Sequence, residues 1–235
     1  MSLTFTNIVS LIDAEVKTNS TSYPLATKVL DINMALDEAI DLAIRSCGTG
    51  TYDDSNHTDY PIITTNLVSG QRDYAYTLDG SSNLILDIYK VLVMNASGVY
   101  QEVPQVNMQL DRATESFTDG LNVTGQPTKY SRTGNGIFFD IIPNYSQTAG
   151  VKILVNREGS YFTVSDTTKK PGIDGRLHEW LVLSPACKFA QRNGLNNETA
   201  LYNRKTLFEK KISEVYSKKD RGVRKIISKR PFNFT

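Results

Sequence analysis

The spacing of hydrophobic residues along this chain changes twice, from helical to strand-like and back to helical, and this limits the folds that the chain can adopt. Near the N-terminus, apolar residues recur at helical spacing in two stretches, which predicts two amphipathic helices. The first stretch contains Phe5, Ile8, Val9, Ile12 and Val16, and the second contains Leu25, Val29, Ile32, Leu36, Ala39, Ala43 and Cys47. Thr4 is the expected cap of the first helix. In the second helix, four acidic residues are expected to face away from the core: Asp31, Asp37, Glu38 and Asp41.

The middle of the chain has the pattern of β-strands instead. Its strand-like runs are Ile62 to Val68, Leu84 to Met94, Val99 to Val103, Ile137 to Ile142 and Val151 to Val155. Two of the segments between them, Asn95-Ala96-Ser97-Gly98 and Thr133-Gly134-Asn135-Gly136, have the composition and length of hairpin turns. This pattern predicts an antiparallel sandwich or barrel.

Helical spacing returns after Pro171-Gly172. One predicted helix is capped by Asp174 and is expected to kink at Pro185; its apolar stripe contains Leu177, Trp180, Leu181, Ser184 and Cys187. The last predicted helix is capped by Asn196 or Asn197. Its stripe contains Leu201, Phe208, Ile212, Val215 and Tyr216.

The order of these elements predicts an α+β fold in which the helices from both ends of the chain pack together. A short amphipathic helix cannot remove its apolar stripe from water alone, so each pair of helices needs the other. We therefore expect a discontinuous helical bundle made of residues 1–50 and 172–218. An antiparallel β domain, residues 51–171, is inserted into it, and an extended basic tail, residues 219–235, follows.

Charge is distributed unevenly along the chain, although the formal net charge is only +1. Residues 204–230 contain eleven Lys or Arg and three acidic residues, while the preceding part contains fifteen basic and twenty-two acidic residues. Such asymmetry is typical of a tail that binds a partner. The predicted partner-binding residues combine cations with apolar side chains: Lys218, Lys219, Arg221, Arg224, Lys225, Ile226, Ile227, Lys229, Arg230, Phe232 and Phe234.

Two interpretations of this tail stay open. The first is a frayed terminus that is solvated and basic. The second is an extended segment that lays alternate side chains into a groove of another subunit and becomes ordered when it docks. The second interpretation is favoured by four apolar residues, because a solvated tail would leave their side chains exposed to water. They are Ile226, Ile227, Phe232 and Phe234.

Catalytic and metal-binding motifs are not found, so we expect a non-enzymatic protein without a cofactor. The sequence His178-Glu179-Trp180-Leu181-Val182 begins like a zinc-protease helix, but Val182 stands where the second histidine would have to be. Asp53, Asp54, His57 and Asp59 form a cluster that could bind a cation, although a turn explains it better. Cys47 and Cys187 are expected to be buried thiols.

No segment has the length of apolar sequence that a membrane span needs, and the first residues lack the pattern of an export signal. We therefore expect the protein to have no membrane partner and to stay in the compartment where it is made.

Several segments resemble one protein family. They are Tyr52-Asp53-Asp54 continuing to Asp59-Tyr60-Pro61, Leu67 to Tyr74, Gly125 to Tyr130, Ile141-Ile142-Pro143, and Pro171-Gly172 followed by His178-Glu179-Trp180. In these segments, and in the order of helices, β insertion and helices, the chain resembles the head-to-tail adaptors of tailed bacteriophages, above all those of short-tailed phages.

This resemblance implies a structural virion protein of the phage neck. Adaptors of this kind form a ring, commonly of twelve copies, that docks beneath the portal protein and extends the DNA channel toward a tail or nozzle protein. DNA passes through without sequence-specific contact. The resemblance also implies assembly in the host cytoplasm. We expect the tail from Lys218 to Thr235 to reach onto the portal.

Two other function classes remain as alternatives. A nucleic-acid-binding protein would use the basic tail to neutralise phosphates, although the acidic body of the chain opposes this. A carbohydrate-binding module would use exposed tyrosines such as Tyr74, Tyr76, Tyr89 and Tyr100, although core packing explains most of these residues better.

Overall fold

The computed structural model describes residues 2–47, 62–76, 84–107, 123–134 and 136–219. Within these ranges the protein is a mixed structure of helices and antiparallel sheets, which confirms the predicted class at this level. The helices are α1 (Phe5–Val16), α2 (Leu25–Cys47), α3 (Trp180–Asn193) and α4 (Glu198–Lys219). A short 3-10 helix, Gly175–Leu177, precedes α3.

All four helices contribute to one hydrophobic cluster, although two belong to the N-terminal end of the chain and two to the C-terminal end. In α1 the buried residues are Phe5, Ile8, Ile12 and Val16, as the helical period predicts. The side chain of Thr4 caps this helix by accepting a hydrogen bond from the backbone N–H of Asn7 (3.4 Å). The cluster explains why neither pair of helices has to shield its apolar stripe alone.

Two expectations for α2 are wrong. Leu25, which was expected in the core, is 36% exposed at the first position of the helix. Asp31, which was expected to face solvent, is 2% exposed because side chains from two other parts of the chain bind it. Glu38 is half-buried for a similar reason, since α3 and α4 supply cations to it.

The start of α3 also differs from the prediction. Asp174 caps the 3-10 helix, where its side chain accepts a hydrogen bond from the backbone N–H of Arg176 (3.0 Å), and α3 itself begins at Trp180. Pro185 lies inside α3, and Gly194 ends it in the left-handed conformation with a φ of 61°. The short turn therefore separates the residues that the sequence assigns to one helix.

The strands form one larger and two smaller sheets. The four-stranded sheet has the order β1-β9-β3-β4, in which every neighbour is antiparallel; its strands are β1 (Ile62–Leu67), β3 (Ile85–Met94), β4 (Tyr100–Val103) and β9 (Gln147–Arg157). A three-stranded antiparallel sheet contains β2 (Asp73–Ala75), β7 (Gly136–Phe139) and β6 (Tyr130–Thr133) in that order. The short pair β5 (Thr124–Gly125) and β8 (Ile142–Pro143) is parallel.

The four-stranded and three-stranded sheets share a second hydrophobic cluster, which contains residues such as Val91 and Ile153 of the first and Ile137 and Phe139 of the second. The strands within the described ranges do not close into a barrel, since β1 and β4 remain the edges of their sheet. The barrel alternative of the prediction is therefore wrong for this part of the chain.

Both predicted hairpins are present. Asn95 to Gly98 connects β3 to β4, and the segment between β6 and β7 contains Gly134; Gly98 and Gly134 have φ values of 80° and 40°. The predicted run from Ile137 to Ile142 divides into β7 and β8. The division lies at Asp140, whose buried carboxylate accepts hydrogen bonds from the backbone N–H groups of Thr128 (2.9 Å) and Lys129 (3.0 Å).

The segment after β9 connects the strands to the helices. Asn33 of α2 forms two hydrogen bonds with the backbone of Phe162, each 2.9 Å long. The ring of Phe162 stacks on Phe5 at a centroid distance of 5.1 Å. The backbone N–H of Phe5 also donates to the carbonyl of Lys169 (2.8 Å). This returning segment is thus part of the helical core.

Candidate partner-binding site

The predicted partner-binding tail begins where α4 ends. Lys218 is exposed in the last turn of α4, and Lys219 is the final residue of the helix. The other predicted tail residues lie outside the described residues: Arg221, Arg224, Lys225, Ile226, Ile227, Lys229, Arg230, Phe232 and Phe234. The candidate cation cluster Asp53, Asp54, His57 and Asp59 also lies outside them. The part of the site that the structure describes is therefore α4 and the side chains that hold this helix in place.

The apolar stripe of α4 fixes this helix to the core. Leu201, Ile212 and Tyr216 are buried, and Phe208 and Val215 pack against the same cluster. The stripe reaches to within three residues of the last helical residue, Lys219. The point from which the tail departs is therefore held by the helical core.

Ion pairs fix α4 to the other three helices. Arg204 contacts Glu15 of α1 (2.9 Å) and Glu179 just before α3 (3.1 Å). Lys205 contacts Glu38 of α2 (3.5 Å). Lys205 is mostly covered, and Arg204, although 44% exposed, binds two carboxylates at once, so both cations attach α4 within the chain.

Glu38 is the centre of a second set of contacts. Its carboxylate is 2.9 Å from Nζ of Lys188 and accepts a hydrogen bond from the hydroxyl of Ser184 (3.0 Å). Burial alone would raise the pKa of Glu38, but the ion pair with Lys188 and the charge of Lys205 lower it below its ordinary value. The carboxylate is thus kept ionised and bound to α3 and α4.

Asp31 connects the two ends of the chain in the same way. Its carboxylate accepts two hydrogen bonds from the guanidinium of Arg192 in α3, 2.8 and 2.9 Å long. Tyr23, just before α2, donates its hydroxyl to the same carboxylate (2.6 Å). Burial and this hydrogen bond raise the pKa of Tyr23 far above its ordinary value, so the phenol stays a donor.

The residues that resemble catalytic groups have structural roles. His178 is buried; its Nδ1 accepts a hydrogen bond from the backbone N–H of Leu3 (2.9 Å), and its Nε2 lies 3.0 Å from the carbonyl oxygen of Ile173. Burial lowers the pKa of His178, which favours the neutral ring. Cys187 is also buried, as predicted, and burial raises the pKa of its thiol. A raised thiol pKa makes a poor nucleophile.

A shallow groove of about 290 Å³ opens beside α1 and the start of α3. Leu3, Leu11 and Val182 contribute its apolar lining, and Glu15 and Glu179 contribute its acids. Both acids are already bound by Arg204. Arg176 also lines the groove and is paired with Asp174 (2.8 Å), so the charged groups of its lining are all engaged within the chain.

Two of the tyrosines that a sugar-binding surface would need are buried. Tyr74 and Tyr76 belong to the core of the sheets, where Tyr74 packs edge-on against Phe139 at 5.4 Å. Within the described ranges, no group of three or more His, Cys, Asp or Glu side chains is placed to hold a metal ion. No helix in the described part of the chain has both the length and the apolar character of a membrane span.

Exposed apolar residues on the helices are the part of the surface that sequence reasoning missed. Leu207 of α4 and Leu30 and Met34 of α2 are among the exposed large hydrophobic residues. Leu207 does not fit the helical stripe of α4, and this misfit is the signal by which it could have been found. Leu30 and Met34 lie between residues of the predicted α2 stripe. Because they are apolar too, the sequence does not distinguish them from buried residues.

No protein-family model matches the chain, and no match to a curated protein is found.

Proposed function

We propose that this chain is a structural, non-enzymatic adaptor in the neck of a tailed bacteriophage. It docks beneath the portal, connects head and tail, and continues the channel through which DNA is ejected. Its partners are neighbouring copies in a ring of commonly twelve, the portal protein and a tail or nozzle protein. DNA passes through the ring without sequence-specific contact. The protein is assembled in the host cytoplasm, has no membrane partner and resides in the virion neck.

One observation carries this proposal: helices from both ends of the chain share a single hydrophobic core, and the last of them leads into the basic and apolar tail. A β domain inserted into such a helical body leaves both chain ends on the same body. This arrangement agrees with the element order through which the chain resembles head-to-tail adaptors.

The proposed architecture is a discontinuous helical bundle, residues 1–50 and 172–218, that carries a β-sandwich, residues 51–171. The shared hydrophobic cluster of the two larger sheets supports a face-to-face sandwich. The contacts of Asp31, Glu38 and Arg204 support a bundle whose halves are held together by charge as well as by apolar packing.

The proposed role of residues 219–235 is to reach onto portal subunits and secure the docked state. An extended segment of this composition can bind a sheet edge through its backbone while Ile226, Ile227, Phe232 and Phe234 enter pockets. Its cations would bind acidic residues of the portal. Each contact can be weak, because a ring presents many copies at once and the effective concentration is high.

Deletion of residues 219–235 tests this role. We expect the shortened chain to lose portal binding by about a hundredfold or more, measured with the portal protein of the same phage immobilised on a sensor surface. Electron microscopy of the two proteins mixed should show an added ring with the full chain and a bare portal with the shortened one. Unchanged binding after the deletion would refute the role of the tail.

A matched variant separates apolar docking from simple charge attraction. Replacing Ile226, Ile227, Phe232 and Phe234 by Ser keeps every cation of the tail. We expect this variant to bind the portal as weakly as the deletion variant. If it binds as tightly as the natural chain, the apolar residues have no part in docking.

Nucleic-acid binding is the second candidate function, and one observation favours it. Lys210, Lys211 and Lys218 are exposed on α4 and lead directly into the cationic tail. A protein of this class would shift DNA on a gel in low salt, and its affinity would fall steeply as salt rises. The adaptor proposal predicts no shift with the free protein. A strong shift without portal binding would replace the adaptor by the nucleic-acid-binding protein.

A further inference from the structure

The outward side of α2 carries apolar residues that the core does not use. Leu30 is 64% exposed and Met34, one turn later, is 52% exposed. Asp37 and Asp41 are exposed further along the same side of the helix, where Asp37 accepts a hydrogen bond from the hydroxyl of Tyr161 (2.7 Å) and Asp41 pairs with the exposed Arg45 (2.8 Å). We call Leu30, Met34, Asp37 and Asp41 the α2 face; it is apolar in its first half, and its second half is net acidic because two carboxylates stand beside the single cation of Arg45.

The outward side of α4 has the opposite charge. Leu207 is 65% exposed, and the exposed residues Lys210, Lys211 and Lys218 follow it along the helix, with Glu214 among them. Arg204 and Lys205, in the turn that precedes Leu207, form ion pairs within the chain. We call Leu207, Lys210, Lys211 and Lys218 the α4 face; it is apolar at its beginning and mainly basic beyond.

We propose that the α2 face of one copy of this chain binds the α4 face of the next copy. This inference rests on the proposed ring, and it names the surfaces that would form it. Leu30 and Met34 would cover Leu207, while Asp37 and Asp41 would lie against the lysines. Both the apolar and the charged halves of the two faces are then complementary.

Charge decides which two faces meet. Two α2 faces would bring acids against acids, and two α4 faces would bring lysines against lysines, and like charges across an interface are unfavourable. Pairing between unlike faces is therefore favoured. Because each copy has one face of each kind, the contact is heterologous and continues from copy to copy, as a closed ring requires.

Both faces are held in place before any contact forms. The opposite side of α2 buries Ile32 and Leu36, and that of α4 buries Leu201 and Ile212, all in one core. Association therefore costs little ordering of the backbone. Each face is small compared with a standard interface, so a single contact should be weak and closure of the ring should strengthen it.

A mixing experiment tests the pairing. In one variant Leu30→Gln and Met34→Gln disable the α2 face, and in a second variant Leu207→Gln disables the α4 face. Analytical ultracentrifugation should show association of the natural chain that depends on concentration. Each variant alone should associate with an affinity that is lower by about tenfold or more. An equal mixture should form a dimer of one copy of each variant, because one intact face of each kind remains.

Three results would overturn the pairing: a natural chain that stays monomeric up to millimolar concentration, variants that associate like the natural chain, or a mixture that forms no dimer. Val164→Gln is the matched control, since Val164 is 57% exposed but lies outside both faces. Circular dichroism checks that each variant is folded. Association of the natural chain should also weaken as salt is raised, because salt screens the charged halves.

This inference and the proposed function can fail separately. If the chain associates through the two faces but does not bind the portal, the pairing stands and the phage adaptor is refuted. If the portal binds the Leu207→Gln variant and the natural chain equally well in rings, the adaptor stands and the pairing is refuted.

Discussion

Asp31 is a buried acid whose partners come from both ends of the chain. Tyr23 lies close to it in sequence, whereas Arg192 is 161 positions away and approaches through the packing of α3 against α2. The carboxylate receives three hydrogen bonds, which compensate for its removal from water. This residue therefore contributes both to stability and to the pairing of the N-terminal and C-terminal helices.

Asp31→Asn should destabilise the protein by about 1–3 kcal/mol. The amide cannot accept both guanidinium bonds and the phenol bond as the carboxylate does. Arg192 is about half exposed, so water still solvates its charge and keeps the loss below that of a fully buried pair. Urea unfolding followed by circular dichroism measures the change. Asp41→Asn is the control, because the pair of Asp41 and Arg45 is exposed and should contribute less than about 1 kcal/mol. Equal losses in both variants would contradict this account.

His178 should make stability depend on pH. Its pKa in the folded protein lies below the ordinary value of 6.5, mainly because of burial. Above pH 6.5 the ring is neutral in both the folded and the unfolded chain, so its contribution to the stability of the folded protein is fully present. As the pH falls below 6.5, the unfolded chain binds a proton first, and the contribution is lost progressively toward the lower folded pKa.

The measurement is the free energy of unfolding between pH 7.5 and pH 5, compared for the natural chain and His178→Gln. Glutamine does not titrate, so the advantage of the natural chain over the variant should shrink as the pH falls. A difference that is constant across this range would show that His178 does not titrate as its burial implies.

Among the elements, those defined by a long hydrophobic period were predictable from the sequence. The stripe of α1 and the hairpin from β3 to β4 depend on neighbouring residues, and both are confirmed. Strands of two or three residues, such as β2 and β5, are too short to define a period. They exist because strands that are not their neighbours in sequence, β7 for β2 and β8 for β5, provide their hydrogen bonds.

Residues held by distant partners were not predictable in the same way. Asp31 and Asp41 are both acidic residues that the sequence places on the polar part of α2, and the approach of Tyr23 and Arg192 explains why the first is buried. The predicted tail beyond Lys219 stays a prediction, since those residues lie outside the described part of the chain. Only Lys218 and the end of α4 give that predicted site a structural context.

Gly150 should be essential for the pairing of β1 with β9. A Cβ atom at this position would lie 2.6 Å from Cβ of Leu67 and 2.9 Å from the carbonyl oxygen of Gln147. Because neither atom is the end of a flexible side chain, Gly150→Ala should destabilise the protein by about 1–3 kcal/mol. Gly125→Ala is the control, since its nearest neighbour would be a side-chain atom of Ile141 at 3.6 Å. Thermal unfolding should separate the two variants clearly; equal midpoints would contradict the steric argument.

At the scale of the whole molecule, the described chain has two hydrophobic clusters, one of helices and one of sheets. The helical cluster combines residues near both ends of the chain, so closing it requires the long β segment to return to its starting point. Ile12 of α1 and Ile212 of α4 belong to this same cluster. We therefore expect the four helices to open and close as one cooperative unit.

Ile212→Ala provides a test of this unit. The side chain is fully buried, so its truncation should cost the helical cluster about 2–4 kcal/mol. Native-state hydrogen exchange should show that protection falls together in α1, α2, α3 and α4, while the central strands β3 and β9 keep most of theirs. Tyr202→Ala removes an exposed side chain from the same helix, outside both faces, and should leave protection nearly unchanged.

The pattern of exchange distinguishes between three organisations of the chain. Loss of exchange protection confined to α4 would mean that the C-terminal helix folds by itself and that the shared core contributes little. Loss spread equally over helices and strands would mean that both clusters unfold as one. Loss in all four helices with the strands preserved is the outcome expected if the two ends of the chain form a common body, and the proposed adaptor requires such a body to support its tail.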